Sequence, residues 1–167
     1  YYLMGVFASA VLLYGMSLAF GVGRSTRLDV IAANLDRLPD SGVPVVTLAI
    51  LFVVIGFAFK VSAVPFHTWA PDTYEGAPTP VTSFLAVASK AAGFVALTTL
   101  VYVAFPGNGE IWQPFIGVMA ALTMTVGNVL ALRQTNIVRM LAYSSVSQGG
   151  FILMPLAVAA MDGAGNQ

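Results

Sequence analysis

The segment FAFKVSAVPFHTW, residues 57–69, places a lysine and a proline inside a long apolar stretch. Lys60 belongs to an apolar run that begins at Val43, and Pro65 follows Lys60 after four residues. A charged group in such a run loses its contact with water, so its presence predicts either a functional role or an escape to the surface. The interpretation depends on whether this run crosses a membrane.

The composition of the 167 residues indicates a membrane protein. Hydrophobic residues make up 58% of the chain, charged residues make up 8%, and the mean hydropathy is +0.86, whereas soluble domains carry about 25% charged residues. Seven basic and seven acidic residues cancel, so no polybasic face is available for nucleic acid or anionic lipid. With no cysteine and one histidine, the sequence excludes disulfides and thiolate metal sites and argues against any other metal cluster.

Five apolar stretches are long enough to cross a bilayer as helices, which takes about 20 residues. Because the chain begins at Tyr1 and residues 1–21 are too long and uncharged for a signal peptide, we expect a segment of a larger protein. The predicted fold is an all-α polytopic membrane protein with a single membrane region over residues 1–167. The predicted spans are residues 2–22, 43–67, 79–105, 111–132 and 136–160.

The connection between the first two spans, GRSTRLDVIAANLDRLPDSG (residues 23–42), has a helical pattern of its own. Leu28, Ile31, Leu35 and Leu38 recur at helical spacing. This pattern predicts a short amphipathic helix on the membrane surface, with a structural role.

The connection between the second and third spans, TWAPDTYEGAP (residues 68–78), is rich in turn-forming residues. Phe66, Trp69 and Tyr74 border it and predict an aromatic belt at the membrane interface. Five spans place this connection on the same side as the basic turn RQTNIVR (residues 133–139). The arginines divide three against two between the sides, which weakly favours a cytoplasmic position for residues 23–42.

Lys60 and Lys90 lie well inside predicted spans, whereas Arg139 lies in the first turn of the fifth. An ionisable residue at the bilayer centre costs about 2.5 to 17 kcal/mol, so it is normally functional and faces protein or water. Snorkelling is the structural alternative. Lys60 lies roughly 10 Å along the helix axis from His67, so its side chain could reach the interface. Lys90 lies at least roughly 16 Å from either end of its span, which makes snorkelling less suitable there.

Pro65 predicts a break in the second span. It has no amide proton, so the carbonyl of Val61 loses its helical partner, and the proline ring crowds the preceding turn. Such breaks are tolerated where neighbouring helices or water satisfy the freed groups, and transporters place ion sites at them. A plain kink near a helix end is the alternative, which the nearby Lys60 disfavours.

Two further stretches carry polar or small residues at membrane depth. Around Lys90 the sequence AVASKAAGF (residues 86–94) would let other helices or water approach the ammonium group. In the fifth span, YSSVSQ (residues 143–148) supplies hydroxyls and an amide, with Ser144 and Gln148 on one face. Such a strip, like Asn128 in the fourth span, either holds helices together or conducts protons along hydrogen bonds. His67 is either an interfacial residue or a point of proton uptake.

The run KVSAVPFHTWAPDTYEGAPTPVTSFLAVASKAAGF (residues 60–94), followed by QTNIVRMLAYSS (residues 134–145), resembles the antiporter-like membrane subunits of respiratory complex I, the proton-pumping NADH:quinone oxidoreductase. Related photosynthetic complexes contain counterparts of these subunits. The resemblance covers essentially the whole chain. It is specific because two lysines thirty residues apart bracket the loop PFHxWxPDxYxGAP.

The resemblance implies that the chain is the middle of a larger subunit built on inverted repeats, with the five spans as its sixth to tenth helices. Lys60 then matches the pumping lysine on a broken helix, and Lys90 matches the lysine that links two half-channels. The implied function is proton translocation through buried lysines, coupled to quinone reduction elsewhere in the complex. The residues implicated by pattern or resemblance are Lys60, Lys90, Pro65, His67, Tyr143, Ser144, Ser147 and Gln148.

The resemblance also implies the surroundings of the chain. No cofactor is expected in it, and flavin, iron-sulfur clusters and quinone are expected in partner subunits. Its partners would be other membrane and peripheral subunits and the lipid bilayer of an energy-transducing membrane, most simply the bacterial cytoplasmic membrane. Residues 68–78 and 133–139 would lie on the cytoplasmic side, against the weak arginine count.

Two departures from the family pattern bear on the mechanism. The family pairs its first lysine with a glutamate on the helix before the first span, and that helix is outside this sequence. We therefore expect an incomplete half-channel in the chain alone. Gln148 stands where the bacterial subunit often has a histidine, and an amide cannot exchange a proton at neutral pH. Any relay through the fifth span would need water, Tyr143 or the serines.

Two other functions remain open at this point. One is a subunit of a multi-subunit cation/proton antiporter or membrane-bound hydrogenase, which shares the ancestral helices. The other is a structural membrane scaffold in which Lys60 and Lys90 form static ion pairs with acids on neighbouring helices.

Overall fold

The computed structural model describes residues 1–38 and 42–158, and over these residues the chain is a bundle of helices. A single turn of 3-10 helix, Pro106–Asn108, precedes the sixth helix. The α-helices are α1 (Tyr2–Gly23), α2 (Leu28–Leu35), α3 (Val43–Lys60), α4 (Trp69–Gly76), α5 (Thr79–Ala104), α6 (Gly109–Leu132) and α7 (Ile137–Val158).

The prediction of five spans is confirmed. Helices α1, α3, α5, α6 and α7 are each long and apolar enough to cross a membrane. The bounds of α1, α5 and α6 agree with the prediction to within two residues. The fifth predicted span, 136–160, corresponds to α7, and its last two residues lie outside the described part of the chain.

The second span is broken, as predicted, but residues 43–67 are too long a range for it. Helix α3 ends at Lys60, and Ser62 adopts a left-handed conformation with φ of 59°. The amides of Ser62 and Ala63 donate to the carbonyls of Phe59 and Ala58 at 3.1 and 2.8 Å. This pair of bonds is the Schellman arrangement that closes a helix end. The helix therefore ends before Pro65, which disfavours helical geometry at the residue preceding it.

The connection at residues 68–78 is more regular than its turn-forming residues indicate, and the position of its aromatic residues at a membrane interface stays a prediction. Most of this connection is helix α4, and its aromatic residues Trp69 and Tyr74 are buried. The indole N–H of Trp69 donates to the carbonyl of Phe59 at 2.9 Å. This bond supplies a partner to the last turn of α3, whose carbonyls have no continuing helix. Helix α4 therefore covers the end of α3.

The predicted amphipathic helix is present as α2. Ile31 is buried, and the side-chain amide of Asn34 donates to the backbone carbonyl of Gly23 at 2.7 Å. Leu38 lies beyond the end of α2 but, like Leu28 and Leu35, packs against the hydrophobic core of the bundle. The apolar side of α2 thus packs against the rest of the protein, and the position of α2 on a membrane surface stays a prediction.

The contacts made by α2 and α4 agree with spans that run alternately up and down through the bundle. Helix α2 contacts the last turns of α5, so the first and third connections meet at one end of the bundle. Helix α4 contacts α7 at the opposite end. Residues 68–78 and 133–139 therefore lie on the same side.

Close approach of backbones holds the two largest helix pairs together. A Cβ atom on Gly15 of α1 would lie 2.8 Å from the amide nitrogen of Val53 in α3. A Cβ on Gly127 of α6 would lie 2.9 Å from the amide nitrogen of Ser147 in α7. Small residues at helix contacts are the usual way to gain packing energy in a membrane. These two contacts fix α3 and α7, which bear on the polar interior described next.

Candidate functional site

Lys90 is the buried charge at the centre of the site. Only 4% of its surface is exposed. It directly follows a π-helical stretch, Leu85–Ser89, inside α5. Such widened turns in helices occur frequently at functional sites. The sequence offers no signal for this stretch.

The ammonium group of Lys90 points at α7 and α4. Its Nζ donates to the hydroxyl of Ser145 at 2.8 Å and to the carbonyl of the same residue at 3.3 Å. The ring centre of Tyr74 lies 5.8 Å from Nζ, within the range of a cation–π contact. Among the described residues neither Lys90 nor Lys60 forms an ion pair. Within residues 1–38 and 42–158, the groups that contact the ammonium of Lys90 are therefore neutral.

Lys60 is the last residue of α3 and is exposed to a cavity of about 520 Å³. Residues of α1 and Ser89 of α5 also line this cavity. A Cβ on Gly93 of α5 would lie 3.8 Å from the Cβ of Lys60. Gly93 is one turn from Lys90, so the two lysines lie on neighbouring helices in close contact. The ten-ångström helical path from Lys60 to His67 that snorkelling assumed is absent, because the helix has ended.

The break at residues 61–68 is held by neighbouring helices. The amide of Val64 donates to the hydroxyl of Thr123 in α6 at 2.9 Å, and that hydroxyl donates to Met119 in its own helix at 2.5 Å. The Val64–Pro65 peptide bond is cis, and Pro65 itself is exposed. Freed backbone groups at membrane depth need such partners. Thr123 supplies one, which the sequence analysis did not identify.

His67 and Tyr143 are brought together. Their ring centres are 6.2 Å apart, and His67 is buried rather than open to the surroundings. Among the described residues no hydrogen-bond partner reaches Nδ1 of His67. A buried imidazole with a vacant ring nitrogen can accept or pass a proton through water.

The polar strip of α7 divides between two faces. Ser147 is buried at the contact with α6, where its hydroxyl lies 3.5 Å from the carbonyl of Met124. Ser144 is half-buried and Gln148 is exposed. The structure does not bring either of these two to Lys60 or Lys90 through a hydrogen bond among the described residues. Ser144 and Gln148 were expected to share one face of α7. Lys90 contacts a different face of this helix, at Ser145.

Ser145 and Tyr74 are the contacts of Lys90 that the sequence analysis missed. A signal for Ser145 was present, because Ala142 and Gly149 lie three and four residues from it. Small residues at this spacing mark the face of a helix that packs closely. Both are buried in the structure.

A second cavity, of about 370 Å³, lies between α4, the start of α5 and α7. Tyr74 and Ser145 line it, and Glu75 stands at its exposed side. Arg139 of α7 binds Asp72 and Glu75 of α4 at 2.6 and 2.8 Å. These ion pairs fasten α4 to α7 beside the cavity.

Metal binding has no support among the described residues. They contain no group of three or more histidine, cysteine, aspartate or glutamate side chains placed to hold a metal ion.

Comparison with known proteins places this arrangement in a family. Residues 1–166 match the family profile described as "NADH:quinone oxidoreductase/Mrp antiporter, TM". NADH-quinone oxidoreductase subunit N of Heliobacterium modesticaldum is 54% identical over 157 residues, which are 93% of this chain and 32% of that protein. NAD(P)H-quinone oxidoreductase subunit 2 of Synechocystis sp. is 47% identical over 165 residues, 98% of this chain and 32% of the relative. The chain spans about a third of the length of these relatives.

A solved structure shows the same helix arrangement. A chain of respiratory complex I from Thermus thermophilus, determined with bound aureothin, matches with a TM-score of 0.74 and 38% identity. The match covers 93% of this chain and 32% of the other. The earlier resemblance to antiporter-like membrane subunits is confirmed by these comparisons.

Proposed function

We propose that this chain, which belongs to the transmembrane family of NADH:quinone oxidoreductase and the Mrp antiporter, is the proton-translocating part of a membrane subunit in a quinone-reducing complex. The electron donor of such a complex would be NADH or ferredoxin. In this proposal the chain moves protons, and the redox chemistry takes place in other subunits.

The observation that carries the proposal is the environment of Lys90. A buried ammonium group has three donors, and in the described residues two of its contacts go to Ser145 and none to a carboxylate. An unpaired charge at this depth is costly and is normally retained for function. Lys60 is adjacent on the neighbouring helix, at the break in the second span. We assign Lys60 and Lys90 as the two proton carriers.

The remaining candidate residues receive different roles. His67 and Tyr143 are in contact and extend the polar interior toward the side of α4, so we assign them to proton uptake or release. Ser147 lies between α6 and α7, where its hydroxyl supports packing or the polar path. Ser144 is half-buried and Gln148 is exposed, and both would take part through groups beyond this chain. Pro65 lies in the break that separates α3 from α4.

The surroundings of the chain follow from the same proposal. Flavin, iron-sulfur clusters and quinone would be bound by partner subunits, with this chain holding none of them. The partners would be other membrane subunits and the peripheral arm, in the cytoplasmic membrane of a bacterium. Residues 68–78 and 133–139 would face the cytoplasm.

One observation weighs against the antiporter. The 54% identity to a subunit named NADH-quinone oxidoreductase subunit N favours the quinone-reducing complex over a cation/proton antiporter. A scaffold with static ion pairs would need acids outside the described residues, because neither lysine has an acidic partner among them. Parental proton transport in the lysine variants described next would favour the scaffold.

The test uses the full-length subunit in the assembled complex, in sealed membrane vesicles. Lys60→Ala and Lys90→Ala should each lower proton transport per electron transferred, whereas Arg133→Ala, at an exposed position outside any ion pair of the described residues, should not. Proton uptake is followed with a pH-sensitive dye and electron transfer by NADH or ferredoxin oxidation. Parental proton transport in both lysine variants would refute the proposal. Purification of the chain without flavin and iron-sulfur subunits would favour the antiporter.

A further inference from the structure

We propose that Lys90 exchanges its proton through Ser145 with water in the 370 Å³ cavity between α4, α5 and α7, with Tyr74 positioning the ammonium group. This inference rests on the proposed function and adds to it a defined route from Lys90 toward the end of the bundle that carries α4. It concerns two residues that the family resemblance did not single out.

The cavity reaches the two residues that contact Lys90. Ser145 and Tyr74 touch the ammonium group and also line the cavity wall. Thr82 and Ser83 add hydroxyls from α5, and Glu75 adds a carboxylate at the exposed side. The volume is enough for several water molecules, and polar partners for them are present. Lys90 is therefore separated from this space by one layer of side chains.

The hydroxyl of Ser145 has the geometry for a relay. Its oxygen accepts a hydrogen bond from Nζ of Lys90 at 2.8 Å. One N–H bond of the ammonium breaks as a new O–H bond forms on Ser145, while the original O–H proton passes to a cavity water. The products are neutral lysine, an unchanged serine and a hydronium ion. The reverse sequence recharges Lys90, so no other reactant is needed.

Tyr74 is a positioning residue in this arrangement. It is 3% exposed, and its ring centre lies 5.8 Å from Nζ of Lys90. Its buried hydroxyl makes no hydrogen bond of full geometry among the described residues, but the side chain of Ser145 is close enough to interact with it. The ring thus keeps the ammonium beside Ser145, and the hydroxyl lies against the same serine.

The first test compares Ser145→Ala with Thr99→Ala in the assembled complex. Thr99 is exposed on α5, and among the described residues its hydroxyl donates to the carbonyl of Val95 in its own helix, so it controls for loss of a hydroxyl from a spanning helix. Ser145→Ala should lower proton transport per electron, by up to about 100-fold where this step limits the rate. Ser145→Thr, which retains a hydroxyl, should restore most of it. Equal loss in the alanine and threonine variants would mean packing and would overturn the inference.

Lys90→Ala and Lys60→Ala distinguish failure of the route from failure of the proposed function. Impaired proton transport in Lys90→Ala with parental transport in Ser145→Ala would overturn the route and leave the proposed function standing. Parental transport in Lys60→Ala, Lys90→Ala and Ser145→Ala would overturn the proposed function itself.

The second test asks whether the cavity holds water. These 167 residues contain no cysteine. Ala86→Cys on the cavity wall therefore introduces one thiol into this part of the subunit. A membrane-impermeant thiol reagent should modify it and lower proton transport. The exposed Ala88→Cys, outside the cavity lining, controls for modification of α5. Reaction of Ala86→Cys only with a lipid-soluble maleimide would show a cavity filled by lipid and overturn the inference.

Discussion

Ser145 holds Lys90 from across the contact between two helices, with 2.8 Å between the serine hydroxyl and Nζ. Neither residue sets this distance by itself. Lys90 is placed by the packing of α5 on α3, and Ser145 by the packing of α7 on α6. Substitutions that shift these contacts should therefore change proton transfer without touching either residue.

Thr123→Val is expected to loosen the break in the second span. The amide of Val64 would lose the acceptor it has among the described residues, and a buried unpaired amide costs about 1–3 kcal/mol. The measurement is the fraction of complex that retains this subunit after heating in detergent. Thr125→Val is the matched control, since the Thr125 hydroxyl is exposed and, in the part of the chain that the structure describes, donates to the carbonyl of Ala121 in its own helix. Equal heat sensitivity of the two variants would contradict the anchoring role of Thr123.

Gly127→Ala should separate α6 from α7. The new methyl group would lie 2.9 to 3.0 Å from backbone atoms of Ser147, which cannot move aside independently of α7. Overpacking of this kind typically costs about 1–3 kcal/mol. We expect less assembled complex and lower proton transport per electron in what assembles. Gly21→Ala, which meets nothing within 4 Å, should behave as the parent, and similar losses in both would argue against the close contact.

The number of spans was predictable because five apolar runs of sufficient length leave few alternatives. The break was predictable in existence but not in position. Pro65 is a strong local signal, whereas the helix actually ends where Ser62 turns left-handed, a position usually taken by glycine or asparagine. The helical form of residues 69–76 was missed for a related reason, because its turn-forming residues are outweighed by burial of Trp69 and Tyr74.

The contacts of Lys90 depend on tertiary packing and were harder to predict. Ser144 and Ser145 are consecutive on α7, so the choice between them depends on how that helix is rotated against α5 and α6. Small residues at positions 142 and 149 mark the face of Ser145, whereas the side-chain amide of Gln148 marks the face of Ser144. The π-helical stretch before Lys90 has no counterpart in residue pattern.

Arg139→Gln should weaken the attachment of α4 to α7 by a small amount. Arg139 binds two acids whose side chains are 73% and 43% exposed, and exposed pairs are worth about 0–1 kcal/mol each. On heating, the Arg139→Gln complex should retain less of the subunit than the parent complex does. This difference should become smaller at high salt, because salt screens the ion pairs of the parent as well. Arg133→Gln, at an exposed position of the same turn, should show no difference at either salt concentration. A salt-independent defect in Arg139→Gln would point to a role other than these ion pairs.

Lys90→Arg distinguishes a proton carrier from a fixed charge. Arginine keeps the positive charge but does not release its proton in proteins, so the variant should assemble and still transport few protons per electron. Lys90→Met, an unbranched side chain without charge, is the matched comparison for filling the site between Ser145 and Tyr74. Proton uptake by vesicles and electron transfer are measured together for both variants. If the arginine variant pumped at the parental rate while the methionine variant failed, Lys90 would supply only a charge, and proton exchange at this position would have to be abandoned.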